Sequence, residues 1–503
     1  MGQSSVIVIG AGLAGLSAGC YARMNGYEVR IFEQDTRPGG LVTAWDRKGY
    51  TIHGNMAFVA GSGPGIGLHR FWRELGVVPA VRFIDYEHLL VVEGRNGETI
   101  EFPADLDRLE RHWKERAPDD ARTIDGLLRG VRAFAAYDLP LEKPRALMGP
   151  ADMLRILVTR FPLLRAMARG KRTSVTAFAA RLKSPLLREG LVEFARIFSE
   201  DLPLAFLQLA LAWSHKASCG YPLGGALEFS RAIERRFLAL GGEIEYRARV
   251  VKILVKNGRA AGIRLADGRE FLADDIISAA DGRTTIFDLL GGEFIDAALR
   301  DRYQSLPVSE SVIIVGFGVA RTFPELPWSA LGRMILLDEP ARLGGRDFRM
   351  IRPMVYNFDP TLAPQGRTFV RLYLPTSFAY WDELRRDPRA YRAEKDAVVG
   401  AATALLDKRF PGFASQVEMT DVATPLTFER YTGNWKAAPI GWDATTRTLM
   451  MPMKKTLPGL DRFHMAGQWV EPGGGLPIVA ASGRAVIQLL CRRDRRPFRA
   501  DPA

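Results

Sequence analysis

The 503-residue sequence predicts an α/β fold in which a discontinuous parallel-sheet domain is interrupted by an α+β domain. Three observations carry this prediction. An apolar run, Val6-Ile7-Val8-Ile9, passes straight into a glycine cluster and then a helical pattern. Strand-and-glycine segments of the same character return at 221–281 and at 460–490. The length exceeds that at which one hydrophobic core stops growing, so two domains are the default.

The first run has the continuous apolar character of a parallel strand buried on both faces. Gly10-Ala11-Gly12-Leu13-Ala14-Gly15 follows at once. Gly10 permits a tight turn, Gly12 lets the backbone approach a pyrophosphate, and Gly15 lets the helix lie close to the sheet. The helix N-terminus then offers unpaired N–H groups and its positive dipole end to phosphates. A second strand, Glu28 to Phe32, ends in Glu33, at the distance from the glycines expected for a ribose hydroxyl contact. Its charge would repel a 2'-phosphate, which argues against NADP. Arg37-Pro38-Gly39-Gly40 adds two glycines just beyond that acid, where backbone can pass close to a pyrophosphate or ribityl chain. A simple NAD domain does not need them, so the expected cofactor is FAD, in a Rossmann-like domain.

In the second segment, Tyr221-Pro222-Leu223-Gly224-Gly225 precedes an amphipathic helix over 227–240, with Phe229, Ile233, Phe237 and Leu240 at helical spacing. Gly241-Gly242 stops it. Strands are predicted at 243–246, 250–255, 259–265 and 276–278, with Asp267-Gly268 as a hairpin turn. In the third, residues 460–466 lead to Gly467-Gln468-Trp469-Val470-Glu471-Pro472-Gly473-Gly474-Gly475-Leu476-Pro477 and a helix through Leu490. Pro477 suits a first helical turn. Such a helix can aim its positive end at the N1 and O2 region of a flavin.

These three blocks, about a third of the chain, resemble the phytoene desaturase group of flavoproteins, which includes carotenoid cis-trans isomerases and retinol saturase. The resemblance implies that Gly10, Gly12, Gly15, Glu33, Gly39 and Gly40 hold the ADP and ribityl parts of FAD. It implies that Val251 touches the adenine through its backbone, and that Gly467 to Pro477, with Gln468, Gly475 and Leu476, surrounds the isoalloxazine. A long apolar substrate is implied as well. Two departures bear on desaturation rather than on flavin binding. His53-Gly54-Asn55 stands where the desaturases have an acidic residue before Gly, and Gln468 holds a position often acidic.

Val312-Ile313-Ile314-Val315-Gly316-Phe317-Gly318 imitates a second nucleotide fingerprint. Pro324 and Pro327 block a following helix and the third glycine is missing, so it reads as a substrate-domain strand and no separate nicotinamide domain is expected. The formal charge of +12 admits nucleic acid or an anionic membrane surface as partner. No known nucleic-acid module accompanies it. The most apolar run, Leu202 to Trp213, is too short to span a bilayer, so membrane contact is expected to be peripheral. Residues 145–172 interleave Met153, Leu157, Phe161 and Leu164 with Arg155, Arg160, Arg165 and Arg169, with a kink expected at Pro162. This is either a membrane-facing helical segment among lipid headgroups or an ordinary helix pair with a solvated basic face. The basic tail, 492–503, either adds surface affinity or only solubilises. Cys20, Cys219 and Cys491 are far apart, no CxxC pair exists and no charged leader precedes the first strand. A reducing, cytoplasmic setting is expected and a dithiol relay is excluded. The six histidines lack metal-ligand spacing, so no metal is expected.

Chemistry on a carbon–carbon bond needs a hydride acceptor and a place for a proton. The candidate catalytic residues are Glu471, as acid or base with helix capping as its alternative, His53 and Lys436. Tyr431, Trp435 and Trp469 are the candidate substrate-pocket residues. For Tyr431 to Lys436 the alternative is aromatic core packing beside a surface lysine. The expected organisation is a FAD domain from 1–80, 215–292 and 455–491, interrupted by a substrate domain from 81–214 and 293–454. The expected activity is desaturation, saturation or isomerisation of carbon–carbon bonds in a long apolar polyene, isoprenoid or lipid. The alternatives are an amine oxidase-type flavoenzyme and a non-enzymatic prenyl-lipid escort protein.

Overall fold

The structure, a computed structural model, describes residues 4–451 and 453–500. Five strands form a wholly parallel sheet in the order Glu243–Glu245, Glu28–Phe32, Ser5–Ile9, Asp275–Ser278, Phe463–Met465. The start, middle and end of the chain therefore share one sheet. Ile7 stands opposite both Arg30 and Ile276, and Ile277 opposite His464.

Successive side chains of a strand point to opposite faces, and this explains why Val6 to Ile9 is apolar without interruption. Val6 and Val8 face the helices Leu13–Met24, Gly225–Ala239 and Leu476–Arg493, packing in one cluster with Leu16, Ile233 and Val486. Ile7 and Ile9 face an antiparallel sheet of Val250–Lys256, Arg259–Leu265 and Glu270–Leu272, through Ile253, Ile263 and Leu265. The first and last helices cross closely because small residues line the seam. A Cβ on Gly483 would lie 2.5 Å from the Ala14 carbonyl oxygen, and Ser17 Oγ donates to the Ala480 carbonyl at 2.7 Å. This is the α/β architecture expected.

The other layer is built differently. Pro353–Val355, Thr368–Thr376, Ser311–Val319 and Val417–Ala423 form an antiparallel sheet in that order. The glycine-containing run 312–318 lies inside it, buried throughout, and the chain turns after it instead of entering a helix. A second sheet, Arg346–Ile351, Arg333–Leu343, His88–Glu93 and Thr99–Pro103, packs with helices between 106 and 215 around Trp113, Leu128, Leu191 and Leu336.

Two local differences from the sequence reading have plain causes. The helix expected at 227 begins at Gly225, because Gly224, at φ +87°, makes the turn into it. Residues 145–172 are not one kinked helix. Pro150–Thr159 and Phe161–Arg172 are separate helices meeting at Arg160, and Pro162 sits in the first turn of the second, where no N–H is required. Among the described residues no helix is long and apolar enough to cross a membrane.

Candidate functional site

A cavity of about 1860 Å³ runs between the two layers. Pockets for drug-sized ligands span roughly 300–1,000 Å³, so there is room for a dinucleotide and a second long molecule. On the parallel-sheet side its wall includes Gly10, Gly12, Glu33, Gly39, Gly40 and Val251, joined by Gly467, Gln468, Gly475 and Leu476 from the last segment.

The glycines there answer to distinct constraints. Gly10, at φ +97°, ends the first strand, and its N–H donates to the Phe32 carbonyl at 2.8 Å. Gly12 N-caps the helix, and a Cβ on it would meet nothing nearer than the Gly39 carbonyl oxygen at 4.0 Å. Its open side is the cavity. Gly15 is off the wall, and a Cβ on it would lie 1.9 Å from the Gly10 carbonyl oxygen, so it serves helix-to-turn packing. Glu33 is buried and accepts the Ala11 N–H at 2.7 Å and the Asp35 N–H at 2.9 Å. Burial raises its carboxyl above the usual carboxylate range, against the pull of those donors. In the last segment Gly473, Gly474 and Gly475 all have positive φ, and Gly475 caps the final helix without a side-chain bond. The helix's first N–H groups therefore have no intrahelical acceptor. Two helix N-termini and glycine faces that a Cβ would fill fit a dinucleotide cofactor.

The residues proposed for chemistry divide. Glu471 and Trp469 line the cavity. Glu471 is ion-paired with Lys455, also on the wall, and does not cap the final helix. Trp469 donates Nε1 to Asn434 Oδ1 at 3.1 Å, and Gln468 Nε2 donates to the same oxygen at 3.2 Å. His53 is fully buried behind the wall. Its Nε2 lies 3.5 Å from the Tyr221 hydroxyl, its ring meets Tyr356 edge-on, and burial followed by the Arg371 charge holds it well below the usual histidine range. It is neutral and not placed to touch a ligand. Lys436 is exposed, with Nζ 5.0 Å from the Trp435 ring centroid, and Tyr431 is 49% exposed. Trp435 lies behind Trp469, the two rings tilted by 40° with centroids 5.6 Å apart. None of these three lines the cavity, although Thr432, Gly433 and Asn434 of the same segment do. Asn434, Arg352 and Arg371 belong to the site without any sequence motif. The one available signal is a lone charge in the apolar strand Thr368–Thr376.

On the helical side the wall carries Met148, Met153, Ile156, Leu164 and Met167, beside the charged Lys143, Arg145 and Lys171. Helix Pro150–Thr159 has no buried residue, and Leu154 and Val158 are 62% and 71% exposed.

Fold and site together define a dinucleotide-dependent oxidoreductase. A profile of the family described as flavin containing amine oxidoreductase matches residues 13–489, and the chain belongs to that family. Its cofactor is FAD, as the glycine blocks predict. Prolycopene isomerase of Arabidopsis thaliana is 26% identical over 95% of this chain and 81% of its own length. The lycopene-forming phytoene desaturase of Pseudescherichia vulneris is 25% identical over 97% of this chain and 99% of its own. Among solved structures, an oxidoreductase from Methanosarcina mazei superposes with a TM-score of 0.63 at 20% identity, covering 96% of this chain and all of that one.

Proposed function

We propose that this enzyme desaturates, saturates or isomerises carbon–carbon bonds of a long polyene or isoprenoid lipid taken from an anionic membrane surface. The observation that carries the proposal is the single cavity joining the glycine cradle to exposed apolar helices. The relatives' names, prolycopene isomerase and phytoene desaturase, support the same substrate class.

In this reading Gly10, Gly12, Gly39 and Gly40 present backbone to the pyrophosphate and ribityl chain, Gly15 keeps the helix close, Glu33 meets the ribose, and Val251 meets the adenine. Gly467, Gln468, Gly475 and Leu476 bring the final helix's positive end to the flavin pyrimidine edge. Bound FAD supplies a two-electron acceptor. Apolar side chains of the wall exclude water from the reacting bond, Asn434 fixes Gln468 and Trp469, and Glu471 exchanges a proton at the wall. His53 is a positioning residue, linked to Arg371. Helix Pro150–Thr159 rests on the membrane with its apolar residues down, and arginines of 145–172 pair with lipid phosphates. An amine oxidase is disfavoured by two buried guanidiniums, Arg352 and Arg371, on the wall, which would repel a protonated amine.

The test is to purify the protein in detergent, record its flavin spectrum and mix it anaerobically with phytoene and with prolycopene. Bleaching with a more conjugated product indicates desaturation, and geometric conversion without net bleaching indicates isomerisation. Saturation appears when a polyene re-oxidises the reduced enzyme. Inertness to polyenes, with peroxide released from amines in air, refutes the proposal.

A further inference from the structure

Arg371 lies inside strand Thr368–Thr376, and Arg352 immediately precedes its partner strand, Pro353–Val355. The two side chains are 2% and 4% exposed, and both line the cavity. Neither is paired with a carboxylate among the described residues. Arg371 gives Nη1 to the carbonyls of His53 and Gly54, and Nη2 to that of Met56. Arg352 gives Nη1 to the Leu331 carbonyl at 2.6 Å. Nε of each arginine has no hydrogen-bond partner among the described residues, and neither has Oδ1 of Asn55 on the same wall.

Buried charge is costly unless it is paired. Burial first, then the Arg371 charge, brings the Arg352 guanidinium down to about 10, so the two cations feel each other. Aromatic faces offset part of this: Arg352 lies 5.9 Å from the Tyr373 ring centroid and Arg371 5.6 Å from that of Tyr356. A carboxylate would neutralise the pair and match the planar fork of a guanidinium. Set among Val312, Leu331, Met354 and Tyr373 on the same wall, this buried cationic pair suits a chain that is apolar except at an anionic group.

We infer that Arg352 and Arg371 form an anion site for the substrate itself, and that the preferred substrate is a polyene or isoprenoid carboxylic acid rather than a hydrocarbon. This rests on the polyene reading above and narrows it.

The FAD-loaded protein is titrated with retinoic acid and with methyl retinoate, following flavin fluorescence quenching and the polyene absorption band. Sodium acetate is added as a competitor. The acid is expected to bind at least tenfold more tightly than the ester. Arg352→Gln is expected to bring the acid down to the ester's affinity, and Arg352→Lys to recover part of the preference. The flavin spectrum of each variant reports folding. Arg371 is left unchanged because it holds three loop carbonyls. The inference is overturned if acid and ester bind alike in the wild type, or if Arg352→Gln keeps the preference. It is also overturned if acetate displaces the acid at equal concentration, since the site then serves a free anion. If phytoene or prolycopene reacts while the acid shows no advantage, only the anion site fails. If no polyene binds or reacts, the proposed function fails with it.

Discussion

Gly12 and Gly15 stand three residues apart in one helical turn, yet alanine at each is expected to fail in a different way. Gly12 has φ −68° and ψ 175°, which alanine adopts freely, and its Cβ would have open space toward the cavity. In the apoprotein, Gly12→Ala should be neutral or stabilising by about 0.4–1 kcal/mol, since alanine restricts the unfolded chain. In the binding mode proposed above, the new methyl would occupy the path by which phosphates reach the helix N–H groups. Losing one or two charge-assisted hydrogen bonds, at about 1.5–3 kcal/mol each, weakens FAD roughly 10- to 10⁴-fold. At Gly15 a Cβ would lie 1.9 Å from backbone oxygen, so the chain must part by about 1.5 Å to regain ordinary contact. Overpacking of that kind costs about 1–3 kcal/mol or more, and Gly15→Ala should lose apoprotein stability and FAD together. Denaturant unfolding of the apoproteins beside FAD titrations by fluorescence separates the two. Wild-type FAD affinity in Gly12→Ala, or wild-type apoprotein stability in Gly15→Ala, would refute the assigned roles.

Asn434→Ala strips one oxygen from both Gln468 Nε2 and Trp469 Nε1; a loss of roughly 2–4 kcal/mol in unfolding free energy is expected, with a shifted flavin absorption band. Lys436→Ala, at an exposed turn, should leave stability within about 0.5 kcal/mol and polyene turnover unchanged; lost turnover would restore the lysine as a candidate. Burial raises Asp443 to about 6, against the donors Ser199 Oγ and Ala444 N–H. The native state thus holds a proton that the unfolded chain releases near the ordinary aspartate value of 3.8, and this contribution to stability falls as pH rises through about 6. Relative to wild type, Asp443→Asn should gain up to about 3 kcal/mol between pH 4 and pH 7, measured by urea unfolding at both pH values. Leu154→Glu combined with Val158→Glu should cut flotation with phosphatidylglycerol vesicles at least tenfold while FAD content stays constant; unchanged flotation places the membrane contact elsewhere.

What the amino-acid sequence determines by itself is the set of elements whose causes are local. The uninterrupted apolar run at Val6 to Ile9 demands a strand covered on both faces, Gly10 supplies a turn at φ +97°, and the glycine spacing that follows admits a pyrophosphate. The prolines at 324 and 327 dispose of the false fingerprint at 312–318 for equally local reasons. FAD and the α/β class follow from these features. Only the tertiary structure decides what the distant segments do to one another. His53 looks catalytic beside its glycine, but the pairing of Tyr50–His53 with Ala44–Arg47 sets it among Tyr221, Tyr356 and Phe369, behind the wall. Asn434 acquires its partners across 34 and 35 residues. Arg371 meets the carbonyls of Gly54 and Met56 across more than 300. Backbone preference is settled within a turn or a strand, whereas a side chain's neighbours depend on long-range register, which no window of sequence contains.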